Sequence, residues 1–272
     1  MSRKNIWLVA GGVVLLGALW FFSLEPSDAG PWAVAQSVKP AVQVEGQAIE
    51  VYGLRDFRYD DAGQPTVERF RTESFSLDNL VGAWFGLSHF GPGGLAHSFI
   101  SFEFDRNGER RYLVLSIEAR RGPGQPYLPV RGMFRKYTKI NILGTEQDVI
   151  GLRSHIAGER VLLYPLEGTP EGSKSYLLTM LEETNKLYEA PAFYNTVLDN
   201  CLTNLIEHAA IRDQISRADI KVLLPGRMDR ITYALGITPD DLPFEETREL
   251  ATVNPALTGI DDPRFSAAIR CK

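Results

Sequence analysis

The chain of 272 residues has only two cysteines, Cys201 and Cys271. Two thiols exclude a disulfide framework, and alone they cannot make a four-ligand zinc site. The four histidines, His89, His97, His155 and His208, show no HxH or HExxH spacing. A metal centre from His89, His97 and an acidic residue is therefore disfavoured, and nothing in the sequence calls for a cofactor. There is no internal repeat, no low-complexity tract and no basic run. With 29 Lys+Arg against 34 Asp+Glu the net charge is −5. Such a chain is a poor nucleic-acid binder, because phosphate neutralisation supplies most of that affinity. Residues 6–24, IWLVAGGVVLLGALWFFSL, are uncharged and almost wholly apolar.

As a helix that stretch is about 28 Å long, close to the thickness of a hydrocarbon core. Arg3 and Lys4 precede it, and Glu25 and Asp28 follow. By the positive-inside rule residues 1–5 stay in the cytoplasm and the rest is exported. Trp20, Phe21 and Phe22 suit the far interface. The competing reading is a signal peptide cut after Ser27-Asp28-Ala29; an apolar run longer than the usual signal core favours an uncleaved anchor. In a bacterium this predicts a single-pass inner-membrane protein with its C-terminal domain in the periplasm. That compartment is oxidising, so an unpaired Cys201 asks for an explanation. Residues 25–45, punctuated by proline and glycine, read as a tether, and residues 46–272 as the exported domain.

Within that domain AIEVYGLRDFRY and GQPTVERFRTESFSL read as extended, and LDNLVGAWFGL as a short helix or apolar turn. Two β-rich runs, HSFISFEF and RYLVLSIEAR, flank Asn107-Gly108, the strongest local signal for a type I′ hairpin. With the turn at Arg106–Glu109, paired residues sum to 215, which sets His97 opposite Glu118 with Cβ atoms about 4.5–5.5 Å apart. Ile100, Phe102, Leu113, Leu115 and Ile117 form the core face. His97, Phe99, Ser101, Val114 and Ser116 form the more polar one. GQPYLPVRGMF reads as a loop, and EQDVIGLR and GERVLLYPLE as strands or short elements. SYLLTMLEETNKLY has helical period, and CLTNLIEHAAIRDQI reads as a second helix capped by Asp199 or Asn200. Strands first and helices second suggest α+β.

Cys201 then sits in the first turn of a helix, where the dipole and free N–H groups favour a thiolate and lower the pKa. A nucleophile needs a base, and the base needs an orienter. His208, seven residues along the same helix, is about 10 Å away in rise and too far. His97 alone has a cross-strand carboxylate, so Cys201, His97 and Glu118 form the candidate catalytic set. The blander reading makes Cys201 a small core hydrophobe and His97–Glu118 an exposed pair. Asn200 or the Cys201 N–H is a candidate oxyanion donor, and Tyr194 a candidate site-lining residue. Arg120 and Arg153 are candidate binders of a phosphate or carboxylate, with structural ion pairing as the alternative. Gly91-Pro92-Gly93-Gly94 is a hinge or a plain loop, and Cys271 a bystander near the terminus.

GLAHSFISFEF, YLVLSIEARRG, EQDVIGLR, RVLLYPL and APAFYNTVLDNCLTNLIEH, in this order, resemble the Lnb N-terminal periplasmic domain family. Fainter matches are GLRDFRYD, LLPGRMD, YALGI and FSAAIR, so the likeness spans about residues 46–270. The resemblance implies a permuted papain-like domain, related to NlpC/P60 proteins, behind one N-terminal transmembrane helix. In permuted members the histidine strand precedes the cysteine helix, as His97 precedes Cys201. The resemblance further implies lipoprotein N-acyltransferase-like chemistry: a thioester on Cys201, with His97 as base and then acid, and a membrane lipid or lipoprotein as substrate. The family's Asn-Cys-Thr-Thr reads Asn200-Cys201-Leu202-Thr203, and Gln147 stands where an arginine is common. The alternatives are a cysteine amidase or peptidase of the cell envelope, and a non-catalytic envelope binding module. Oligomeric state is not legible.

Overall fold

The computed structural model describes residues 3–209, 212–215 and 225–270. Helix α1 (Arg3–Ser23) carries the uncharged run; its Asn5–Ser23 stretch has a mean hydropathy of 2.1 and none of it is buried in the protein. At 21 residues it is long enough to cross a bilayer, about 32 Å.

Ten strands follow among the described residues: β1 (Ala41–Glu45), β2 (Ala48–Arg55), β3 (Arg58–Tyr59), β4 (Pro65–Val67), β5 (Phe70–Ser76), β6 (Leu80–His89), β7 (Ala96–Arg106), β8 (Glu109–Arg120), β9 (Thr138–Gly144) and β10 (Arg160–Pro165). The main sheet runs β1-β2-β9-β8-β7-β6-β10, with β5 also on β2, while β3 and β4 form a separate ribbon. Its pairs are antiparallel except for the single parallel bridge between β2 and β9. The β7–β8 hairpin has the expected register, from Arg106↔Glu109 to Phe99↔Ser116. Asn107 and Gly108 have φ of 57° and 88°, as a type I′ turn demands.

Both faces of the central strands β7, β8 and β9 are buried. On one, helices α3 (Pro170–Glu189) and α4 (Cys201–Glu207) cover Ile100, Phe102, Leu113, Leu115 and Ile117. Leu177, Met180, Leu181 and Thr184 form the inner stripe of α3, spaced for one helical face. Thr169 caps its N-terminus and Pro170 occupies its first turn. On the other face Phe99 and Val114 pack with Val149, Ile150, Phe265 and Ile269. The mixed α+β class is as expected. The more polar face of the hairpin is covered too: a π-helix over Gln147–Ile156 and the C-terminal segment lie across it.

Four local expectations are corrected. LDNLVGAWFGL is mostly β6, paired on both sides by β7 and β10; a doubly buried strand shows an apolar run without clean alternation. EQDVIGLR is the π-helix, pinned where buried Asp148 accepts from Arg55 Nε, the Phe57 N–H and the Tyr59 hydroxyl. GQPYLPVRGMF contains a single helical turn, α2 (Pro129–Gly132). Residues 25–45 are not a slack tether. They include a 3-10 turn at Val34–Gln36 and edge strand β1, whose Val42 exchanges two hydrogen bonds with the Asn185 amide of α3. Covering an edge in this way satisfies backbone groups that would otherwise recruit another strand.

Candidate active site

Cys201 is the first residue of α4, and the local sequence fixes it there. The Asn200 Oδ1 accepts from the N–H groups of Leu202 and Thr203, both at 2.9 Å, and Thr203 Oγ1 accepts from the Asn200 N–H at 2.8 Å. This reciprocal box satisfies the donors that a helix start leaves open. It also occupies Asn200: its Nδ2 donates to the Thr196 carbonyl at 2.9 Å. Asn200 is thus engaged as the helix cap and also lines the cavity beside Cys201; the Cys201 N–H is the first-turn donor the cap leaves alone.

The thiol sits beside Ser98, whose buried Oγ has no hydrogen-bond partner among the described residues, and near the Tyr194 hydroxyl. Cys201 is 3 % exposed. Burial pushes its pKa up; the Ser98 hydroxyl and backbone, the Leu202 N–H and Tyr194 favour the anion but do not prevail. This corrects the expectation of a lowered pKa. The helix dipole acts, but desolvation of the charged form outweighs it.

His97 is held by a different set of groups. Its Nε2 lies 2.7 Å from Ser116 Oγ, and Ser116 donates to Glu118 Oε1 at 3.0 Å. Glu118 also accepts from Arg153 at 3.0 Å and from Gln36 Nε2 at 2.8 Å. Burial works to raise the Glu118 pKa, but the Arg153 and Arg55 guanidiniums hold it well below the usual carboxylate range. An ionised carboxylate only accepts, so the Ser116 proton points to it, and Ser116 accepts from His97 Nε2–H. The tautomer this network requires leaves Nδ1 as the basic ring nitrogen. Burial and the Arg153 charge push His97 down to about 3, against the pull of Glu118, so the imidazole is neutral at rest. Phe99 stacks under it, ring centroids 6.4 Å apart. That ring in turn lies over Gly86, where a Cβ would come within 2.1 Å of it.

Adjacent residues of a strand point to opposite faces. Ser98 and Cys201 are on the α4 face of β7; His97, Ser116 and Glu118 are on the π-helix face. No hydrogen bond joins thiol and imidazole among the described residues. The two sets meet at the end of the hairpin, around a cavity of about 300 Å³ that His97, Glu118, Tyr194 and Cys201 all line. Arg121, Arg153, Tyr127 and Phe90 share its wall.

The remaining predicted residues separate here. Arg153 faces the cavity, though its charge is engaged by Glu118. Arg120 does not belong to the cavity: it is buried under Trp32 and donates to the Gln36 and Ser37 carbonyls and to Asp28. Its neighbour Arg121 faces the cavity instead. Ser116, Ser98, Tyr127 and Gln36 were not assigned roles from sequence. The Ser116 signal was present, since it shares the His97 face of the hairpin. The Gln36 signal was not, because 82 residues separate it from Glu118. Gly93 and Gly94 adopt φ of 73° and 90° in a 3-10 turn before β7. Cys271 lies outside the described residues.

The family model described as the Lnb N-terminal periplasmic domain matches residues 66–233. Neither a curated protein nor a solved structure matches the chain. The match covers more than half of the sequence, and the chain belongs to this family. A periplasmic domain family together with one apolar N-terminal helix fits a single-pass membrane protein of the cell envelope.

Proposed function

We propose that this member of the Lnb N-terminal periplasmic domain family is an inner-membrane-tethered thiol acyltransferase of permuted papain-like layout, acting on lipids or lipoproteins. The observation that carries the reading is the shared cavity. A helix-capped thiol and an imidazole with one nitrogen tied to a carboxylate relay line the same space. The histidine strand precedes the cysteine helix, as a permuted order requires. Phe90, Leu95 and Ile117 supply apolar wall for an acyl chain, and Arg121 supplies a cation for a phosphate.

Both groups are neutral at rest, so the base takes the proton during attack and not before it. The Cys201 sulfur adds to the ester carbonyl of a phospholipid while its proton passes to His97 Nδ1. The Cys201 N–H is placed for the developing oxyanion. The C–O bond breaks, the lysolipid alkoxide recovers the proton from His97, and a thioester remains on Cys201. An amine of the acceptor then attacks the thioester carbonyl and passes a proton to His97, the C–S bond breaks as the amide forms, and His97 returns that proton to the sulfur. Glu118 and Ser116 orient the ring throughout.

Intact-mass analysis of the full chain after incubation with phosphatidylglycerol vesicles tests the reading. The expected result is one acyl mass added on the Cys201 peptide, removed by hydroxylamine, and absent in Cys201→Ala. Lack of any adduct in the wild type, with lipid recovered unchanged, rejects lipid acyl transfer. Release of free fatty acid without transfer to an added lipopeptide amine assigns a hydrolase.

A further inference from the structure

Four of the seven side chains from Leu128 to Phe134 are large, apolar and exposed: Leu128, Val130, Met133 and Phe134, with Val130 at 65 % and Phe134 at 55 %. Arg131, Arg135 and Lys136 are interleaved with them or follow directly. Apolar tips among cations are the pattern of an interfacial segment: the tips enter the acyl boundary and the cations meet lipid phosphates.

Position identifies the partner. Arg135 Nη1 donates to the carbonyls of Phe21 (3.2 Å) and Leu24 (3.4 Å), at the C-terminal end of α1 where helical carbonyls lack partners. Its guanidinium lies 4.7 Å from the Phe21 ring and 5.5 Å from the Phe22 ring, and Lys136 Nζ lies 5.4 Å from the Trp20 ring. Aromatic residues ending a transmembrane helix mark the headgroup level. With α1 as the span, the segment is latched at that depth.

The same segment borders the cavity. Tyr127 and Pro129, on either side of Leu128, line it, and the partly exposed Phe90 faces Tyr127 with ring centroids 6.4 Å apart. Thr196 Oγ1 donates to the Pro129 carbonyl at 2.7 Å, tying α2 to the loop before Cys201, on which Leu198 is 73 % exposed.

We propose that Leu128–Phe134 inserts its apolar side chains into the interfacial layer of the bilayer that α1 crosses, docking the domain with the cavity mouth against lipid. The docking is independent of any chemistry at Cys201. It takes α1 as the membrane span.

The test uses the full chain in phosphatidylcholine–phosphatidylglycerol vesicles doped with a phosphatidylcholine bearing a diazirine on its acyl chain. After irradiation, adducts are mapped by peptide mass. The expected result is adducts within residues 128–134 as well as within 5–23. The paired change Val130→Glu and Phe134→Glu should lower the first yield about tenfold and leave the second unchanged. Val130→Asn alone, a milder change at an exposed position, should lower it less. Adducts confined to residues 5–23, or none at all, would overturn the proposal. So would protection of the segment that grows with protein density at fixed lipid, which would assign the face to a second copy of the chain.

Discussion

Behind Ser98 the α4 face of β7 is held by apolar packing and a helix cap: Cys201, Leu202 and Leu205 lie with Ile100 and Phe102. Around His97, on the opposite face, hydrogen bonds from Ser116, Arg153 and Gln36 converge on Glu118, and Ser116 links it to His97. The contrast has a chemical consequence. Burial without a counter-charge keeps the thiol protonated, whereas the carboxylate keeps its charge because two guanidiniums offset its burial. A nucleophile and a base that both rest neutral must exchange the proton in the reaction itself. The site therefore differs from one that stores a thiolate–imidazolium pair.

The largest break in this comparison is on the ionic side. Glu118→Gln leaves the part-buried Arg153 without its counter-charge and removes the acceptor on which the network converges. Loss of about 3 kcal/mol of unfolding free energy is expected, read from urea melts of the full chain in micelles. If the variant keeps wild-type stability, the ionic network is not what holds that face.

A smaller effect is expected from pH. His97 is depressed from 6.5 to about 3. Its neutral form stabilises the fold above the unfolded value, and that contribution is lost as pH falls from 6.5 toward 3. Wild type should therefore lose about 1–2 kcal/mol relative to His97→Asn between about pH 7 and pH 5. Parallel stability curves for the two proteins would show that the imidazole is not desolvated.

Much of the ionic side was legible in the sequence. Asn107-Gly108 fixed the turn, the turn fixed the register, and the register put His97 and Glu118 on one face. The intervening Ser116 was legible as a neighbour but not as a relay, because only the packed geometry brings its hydroxyl between the two. The apolar side was legible as a capped helix, since Asn200 is a strong cap residue. What periodicity could not supply was which face of β7 that helix covers. Helix α4 packs with Ser98 and not with His97, a relation set by contacts distant in sequence. The same limit explains Arg120 and Arg121. One position at the end of β8 decides whether a guanidinium is spent on the segment before β1 or faces the cavity. Residues 25–45 look slack in composition and are ordered only by partners far along the chain.

The central claim is that His97 serves Cys201 across the end of the strand they border. The most direct measurement is the rate of Cys201 alkylation by iodoacetamide at neutral pH, followed by peptide mass, in wild type and in His97→Asn. The account predicts a slow reaction in the wild type that falls about a hundredfold further in the variant, the usual worth of a positioned base. Equal rates in the two proteins would contradict it.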